Sequence, residues 1–582
     1  MAINNPYMPG DPYSYDLKWI VRKIKEHDAI LEALDQKIVD LIIQLLDQHD
    51  PLYWESADDL IHSDMKTPGL AYIEGFYEPG DGGANLFYLT SDYNDVLAAD
   101  FYLTLDGANR WAIPIILTPF VTPEMFGAKA DGTTDDSAAI EKALSFGTVK
   151  LMPGKTYEAD YTVTITPVKA FEIYGNGATI QGFTLSCDGL DGIVMENFRI
   201  VKANKSVNLD NCKNAVIKQV EFMGEPSFNS PRFVTLKNCE HVVIKDCYVK
   251  NTQYGVFMQI YQMGRSKDVS VVGCRFENTR QYSYPAGIAV YEADQVRVSD
   301  CFFSNIQHDT APYSNGYAVY SGDYVYNDIG SITVENCQME DCGRGIRIHH
   351  ASDLIVSSCF IRGTIEHSIL VDGDPSLGGD PMNSTVISGN ITTKDVSVQG
   401  YADNAVIKGN DITGTYGVFV YNASDLRKPK NMLISGNNIH DTSRGGIVIQ
   451  HAEAPVVQGN TITNFNTSAY SSSDYRSAAI GFDAVSDPTA LCNAITKPAA
   501  AAFGINFGNV TGRKIYLENT FNMDTNAILG GYNGAPTAGK WARGEHVYYV
   551  NPSSPNYVGA VCTASGDFDG TPPTFKQFGA LV

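Results

Sequence analysis

VVIKDC (242–247), VSVVGC (269–274), VRVSDC (296–301), ITVENC (332–337), LIVSSC (354–359), TVISGN (385–390), AVIKGN (405–410), MLISGN (432–437) and PVVQGN (455–460) are versions of one hexapeptide. They end at Cys247, Cys274, Cys301, Cys337, Cys359, Asn390, Asn410, Asn437 and Asn460. The span 460 − 247 = 213 divides over eight intervals into about 27 residues per unit, a period that belongs to stacked repeats. Each unit also holds a turn and a second run of the type GIAVY, GIRIH or GVFVY. Apolar residues alternating with polar ones give the strand period. A chain that repeats such runs buries its apolar side by stacking coil on coil, about 4.8 Å apart, as a parallel β-helix.

The last residue of the hexapeptide forms a column of five cysteines followed by four asparagines. Turned inward, cysteine acts as a small apolar residue, and asparagine amides hydrogen-bond up and down the stack. Stacked cysteines lie close enough for spacing alone to permit a bridge. Cytosolic synthesis argues against one, so the expectation is a structural ladder with neither metal nor disulfide.

In the second run, period two assigns the faces. Val256/Met258, Ile288/Val290, Tyr317/Val319, Ile346/Ile348, Ile369/Val371, Val396/Val398, Val418/Val420 and Ile447/Ile449 point inward on this count. The outward column reads Gln259, Tyr291, Tyr320, His349, Asp372, Gln399, Tyr421 and Gln450, with Arg347 beside His349. Glu292, Asp294, Asp323, His350 and Asp374 follow just past the turn. Aromatic faces and amides in a row suit a chain of sugar rings, so Tyr291, Tyr320, Gln259, Gln399 and Tyr421 are the candidate substrate-binding residues. Glycoside hydrolysis needs two carboxyls roughly 5–10 Å apart. A lyase needs a base and a cation that stabilises an enolate. Asp372, Asp374, His349, Arg347 and Glu292 are the candidate catalytic residues. Hydrolysis, elimination and binding without cleavage all remain open on this reading.

The chain has 582 residues, too many for one ordinary core, and 44% apolar against 19% charged residues, too little charge for a disordered chain. Its 42 basic and 66 acidic residues leave a net charge of −24. Such a surface repels phosphate backbones and anionic lipid, which argues against nucleic-acid and membrane partners. There is no run of about 18 apolar residues of the kind that spans a bilayer. The opening MAINNPYMPGDPYSYDLKW lacks the layout of a secretory signal, so synthesis in a cytosol is expected.

Leu17, Ile20, Ile24, His27, Leu31, Leu34, Ile38, Leu41 and Leu45 form a heptad seam, and Val21, Ile30 and Ile42 widen it. That pattern predicts a coiled-coil stalk of three chains in residues 1–50. Turn pairs such as Pro79–Gly80 and Asp106–Gly107 mark residues 51–122 as a small β connector. Thr134 or Asp135 is expected to cap a helix carrying Ile140, Ala143 and Leu144. Residues 466–500 lose the repeat and become rich in serine, alanine and aspartate, which predicts the close of the regular coils. Residues 501–530 resemble one or two irregular coils, so the β-helix with its entry helix is assigned to 123–530 and a C-terminal β module to 531–582.

FGAKADGTTDDSAAIEKAL (126–144) resembles the entry motif of the pectate-lyase-like right-handed β-helix superfamily, which includes bacterial pectin-acting enzymes and many bacteriophage tailspikes. In that family Asp131, Asp135 and Asp136 would serve the turn and the helix cap. The end of the chain resembles a short β module of phage tailspikes through Trp541, Gly544, Val547, Gly559, Val561, Cys562 and Phe578–Gly579. Thr574-Phe575-Lys576 departs from it where a tryptophan is expected. No paired aspartates followed by Gly-His-Gly occur, and no pectate-lyase set of calcium aspartates is evident, so pectin is unsupported as substrate. The resemblance implies a mainly β protein, a homotrimeric tailspike on the virion, made in the host cytoplasm. It would be held through its N-terminus by phage tail or portal/collar proteins and would bind, and degrade, a host surface polysaccharide without a cofactor. The alternative is a non-catalytic receptor-binding or structural spike.

Overall fold

The computed structural model describes residues 52–580 except 66–67, 100, 108, 117, 161–165, 168, 226, 228–229, 260–264, 278–284, 308–315, 322–328, 350, 374–381, 383, 401, 422–427, 472–473, 497–501, 523–527, 530–539, 542, 544–545, 549–556 and 568–570. The heptad seam, Asp323, His350 and Asp374 lie outside the described residues. Two compact units divide at Glu225/Pro226.

The first unit opens with a five-stranded sheet in the order Leu52–Trp54, Gly69–Ile73, Asn85–Thr90, Trp111–Ile115, Leu103–Thr104. Its first pair is parallel and the others antiparallel. Two short helices, Ala57–Ile61 and Tyr93–Ala98, accompany it, so the connector is mixed rather than purely β. Ser56 and Asp92 start them by accepting the backbone N–H groups of Asp59 and Asn94. Leu60, Ala71, Ile73, Phe87, Leu89 and Ala112 pack as the core between helix and sheet.

Asp131–Asp135 is a strand, not a cap, and the entry helix runs Ser137–Ser145 behind Asp136. The three aspartates hold the local chain together. Asp131 accepts from Thr133 and Thr134, Asp135 from the N–H and hydroxyl of Ser137, and Asp136 from the N–H groups of Lys129 and Ala130. The helix buries Ala139, Ile140, Ala143 and Leu144. Tyr157 beyond it donates to Glu124 at 2.6 Å, and burial pushes the Glu124 carboxyl up to about 7. The first parallel coils follow.

In the second unit each coil contributes one strand to each of three parallel sheets. One coil is Ile329–Glu335, Gln338–Glu340 and Arg344–His349; the next is Ala351–Ser357, Phe360–Arg362 and Ile369–Gly373. The hexapeptides stack in register in the first sheet. Ile244, Val271, Val298, Val334, Val356, Ile387, Ile407, Ile434 and Val457 pair successively, all buried. The fifth hexapeptide residue turns the corner with positive φ in every copy: Asp246, Gly273, Asp300, Asn336, Ser358, Gly389, Gly409, Gly436 and Gly459 lie between 52° and 66°. Left-handed backbone favours glycine and short polar side chains, which is why that column reads D, G, D, N, S, G.

Past the corner the cysteines and asparagines point inward, as expected. All eleven cysteines are free thiols. Asn390, Asn410, Asn437 and Asn460 each donate their amide and backbone N–H to the next amide oxygen in the column at 2.9–3.0 Å. The column continues through Asn493 to Asn519. The repeat therefore does not lapse at residues 466–500. Strands Ile480–Asp483, Thr489–Leu491 and Ala494–Thr496 carry it on, with the serine- and alanine-rich residues lying between coils. His546–Tyr548, Tyr557–Ala564 and Thr574–Ala580 form an antiparallel sheet near the end of the chain.

Candidate functional site

The outer face of the third sheet carries the polar and aromatic side chains. Register puts His349, Asp372, Gln399 and Tyr421 in one column. A second column holds Ala289, Tyr320, Arg347, Leu370, Ser397 and Phe419. Tyr320 thus neighbours Arg347 and is not in the His349 column. The period count slipped because Ser321, a polar residue, occupies an inward position level with Ile348. Its hydroxyl accepts from the backbone N–H of His349 and donates to the His349 carbonyl.

Tyr317 also departs from strict alternation. Its ring stacks on Tyr320 at 4.5 Å and belongs to the outer face, although it is fully buried. The same arrangement recurs as Tyr254 on Phe257 and Tyr416 on Phe419, each at 4.7 Å. The residue after each tyrosine is small (Gly255, Ala318, Gly417). A Cβ on Gly255 would stand 2.4 Å from Phe276, and one on Gly417 2.3 Å from Ile439, so at these two positions the interior has no room for a side chain. The motif Tyr-Gly/Ala-Val-Phe/Tyr is the signal that sequence reading passed over.

Around Tyr317 a polar network assembles. Arg344 Nη1 donates to its hydroxyl at 2.7 Å and Arg347 Nη1 at 3.2 Å. Arg344 is closed on its other edge by Glu366, which accepts from Nε at 2.6 Å and from Nη2. Arg347 Nη2 reaches Asp372 at 3.4 Å, and His349 Nε2 lies 3.5 Å from the same carboxylate oxygen. His349 is only 2% exposed. His367 sits close by, its Nδ1 3.1 Å from the Ser397 hydroxyl. Burial first, and then Arg344, hold its imidazole down at about 4, so it is neutral at ordinary pH. Arg344, Glu366, His367 and Tyr317 were absent from the candidate set; Glu366 and His367 lie between strands, where no periodicity marks them.

Of the expected residues, the structure brings together Arg347, His349 and Asp372, with Gln399 and Tyr421 following on the next coils. Tyr291 and Tyr320 are 8% and 4% exposed, packed in a cluster with Tyr254, Phe257 and Tyr317, so as placed they form a floor rather than an open stacking platform. Glu292 follows its strand two coils before Arg347, about 10 Å away by strand spacing. Gln259 lies a further coil away, half-buried, donating its backbone N–H to Leu236. Among the described residues no cluster of histidine, cysteine or carboxylate side chains could hold a metal ion, and no helix is long and apolar enough to cross a membrane.

Three parallel sheets with a lined outer face define a class, and this chain is a right-handed parallel β-helix protein. Residues 162–425 match the family model described as a right handed beta helix region. Comparison with curated proteins returns no match. Among solved structures, the tailspike protein of E. coli bacteriophage HK620 in complex with a pentasaccharide is 12% identical, covering 81% of this chain and 94% of that one at a TM-score of 0.44. Tailspike protein 3 of bacteriophage CBA120 is 14% identical over 81% of this chain and 73% of that one, TM-score 0.38. PfbA, a surface adhesin of Streptococcus pneumoniae, is 13% identical over 68% and 92%, TM-score 0.37.

Proposed function

We propose that this chain is a bacteriophage tail appendage that binds a host cell-surface polysaccharide and degrades it. The observation that carries the reading is Asp372. It is a carboxylate on the outer face of a β-helix, with Arg347 on one side, His349 on the other, and the amide and ring of Gln399 and Tyr421 leading away from it. A carboxylate beside a cation and an imidazole supplies the proton transfer and charge stabilisation that breaking a glycosidic bond requires. Glu366, six residues earlier on the same coil, is the second carboxyl that a hydrolase would use. The order of stalk, connector, entry helix, β-helix and C-terminal β module also supports a spike. Its three chains would join through the seam of residues 17–45 and be held at the N-terminus by tail or portal/collar proteins.

Capsule and teichoic-acid preparations, incubated with the protein, should yield new reducing ends on hydrolysis or unsaturated sugars on elimination. Asp372→Asn should abolish either product while light scattering still reports three copies and the melting temperature holds. Asp374→Asn is the parallel variant. Wild-type rates from both variants would remove the site from this face.

One observation favours the rival reading, a non-catalytic receptor-binding spike. Both carboxylates of the network face a guanidinium, Glu366 that of Arg344 and Asp372 that of Arg347. Binding without either product for every glycan tested would decide for it.

A further inference from the structure

The outer face of the first sheet changes character partway along the stack. Register aligns Ser270, Arg297 and Thr333 on three successive coils, and then Ile355, Val386, Val406, Leu433 and Val456 on the next five. Thr489 follows on the coil after them. These five positions face outward, since their neighbours Val356, Ile387, Ile407, Ile434 and Val457 are the buried ones. Ile355 is 43% exposed and the other four are half-buried. The parallel outward column carries Ser357, Ser388, Lys408, Ser435 and Gln458, so the two columns together hold a single charged side chain. Round the corner, Phe360 and Ile391 pair on the second sheet at 36% and 48% exposure and widen the apolar surface at its Ile355 end. Strand preference alone does not account for the stripe. β-Branched residues suit an exposed strand, yet the same column three coils earlier holds serine, arginine and threonine.

We infer that this stripe is the surface through which the β-helix of one copy of the chain packs on another copy. The inference rests on the three-chain reading above and adds the face that makes the contact. Charge selects the occupant. With −24 on each chain, copies repel one another at long range, and a contact between them needs a surface almost without charge. The stripe meets that need, and the charges at its border are paired within the chain, Arg297 with Glu335 and Arg362 with Glu340. An apolar centre depleted of charge inside a polar rim is the anatomy of a protein interface. A sugar chain needs hydrogen-bond partners that five aliphatic side chains do not offer, whereas Arg347 and Asp372 stand on the third sheet. Symmetry suits the stripe as well. Rotation about a three-fold axis keeps each residue at one level, so the apolar coils of one copy stand level with those of the next. The contact would run about 19 Å, by four strand spacings. The short serines beside it leave room for the aliphatic column of the other copy to approach.

The test places single thiols on the full chain in a Cys492→Ser background, because the other ten cysteines are buried. Ser435→Cys stands within the stripe, and Thr520→Cys stands exposed on the second sheet, two coils past its end. Light scattering should report three copies of either variant, and maleimide should label Ser435→Cys about tenfold more slowly than Thr520→Cys. Adding Leu433→Glu brings a like charge from every copy into the contact. It should raise the Ser435→Cys rate to within about threefold of Thr520→Cys, a change that shielding within a single chain would not produce. Should Leu433→Glu fail to fold, Leu433→Ser, which removes the apolar contact without adding charge, should move the rate the same way. Three copies with equal labelling rates, or with a slow rate that neither Leu433 variant raises, overturn the inference and leave the three-chain reading standing. A single copy by light scattering of the unsubstituted chain overturns both.

Discussion

Replacing Asn437 by alanine separates the two halves of the inner ladder by their chemistry. Asn437 is 1% exposed, and its side chain makes four hydrogen bonds. Its Oδ1 accepts from the backbone and amide N–H groups of Asn410 at 3.0 and 2.9 Å, and its Nδ2 donates to the Ile407 carbonyl at 3.0 Å and Asn460 Oδ1 at 2.9 Å. At about 1 kcal/mol net for each bond, the substitution costs about 4 kcal/mol, and the Asn410 N–H left buried without an acceptor adds to that. Cys301 holds the equivalent position higher in the column, where its Sγ meets the Val271 and Ser299 carbonyls at 3.5 and 3.2 Å and the thiols of Cys274 and Cys337, all weak partners for sulfur. Cys301→Ala therefore loses roughly the burial of one small group and a small cavity, about 1–2 kcal/mol. Denaturant unfolding of both variants, followed by circular dichroism with the midpoint and slope fitted together, reads the difference directly. The asparagine variant should lose at least twice what the cysteine variant loses. If Asn437→Ala falls within about 1 kcal/mol of Cys301→Ala, the amide ladder contributes nothing beyond packing, and this account of the column is wrong.

Tyr317→Phe removes the one oxygen that both Arg344 and Arg347 grip, and since hydrogen bonds to charged groups are worth about 1.5–3 kcal/mol each it should lower stability by about 2–4 kcal/mol. Tyr291→Phe, as a ring in the same cluster, is the control for polysaccharide binding; a Tyr317 variant with unchanged melting and unchanged binding would dismiss the network. The pH dependence of unfolding carries two opposed signs. His367, held down at about 4 by burial and Arg344, stays neutral in the fold while the unfolded imidazole takes a proton near 6.5, so stability falls as pH drops from about 6.5 to about 4. Asp395, raised to about 7 by burial, keeps its proton in the fold while the unfolded carboxyl loses it near 3.8, so this group makes stability fall as pH rises from about 4 to about 7. Removing the imidazole with His367→Gln should turn a nearly level profile for the second unit into one that declines toward pH 7, and a variant profile parallel to the wild type would contradict this.

The coil structure was legible in the sequence because each part of it is enforced locally. A left-handed corner admits Asp246, Gly273, Asn336 or Gly409 and excludes branched side chains, so the corner wrote itself into the fifth column. The inward cysteines and asparagines were legible for the same reason. The extent of the repeat was partly hidden. Asn493 and Asn519 continue the ladder, but the strands before them are short and separated by serine-rich connections that carry no periodic mark.

By itself, the sequence determined the stacking of parallel coils, the inward ladder, and the placing of Asp372, Gln399 and Tyr421 on one line, since these follow from period two and from what a tight corner tolerates. Only the tertiary structure decided which side chains meet across coils. Ser321 points inward, one pair further along than the apolar pattern suggests, which sets Tyr320 beside Arg347 and not in the His349 column. Arg344, Glu366 and Tyr317 lie up to 49 residues apart in sequence and join only because neighbouring coils bring their ends together. A repeat preserves the register of its strands but places no such constraint on the connections between them. Contacts made by connection residues, Glu366 and His367 among them, therefore leave no period to read.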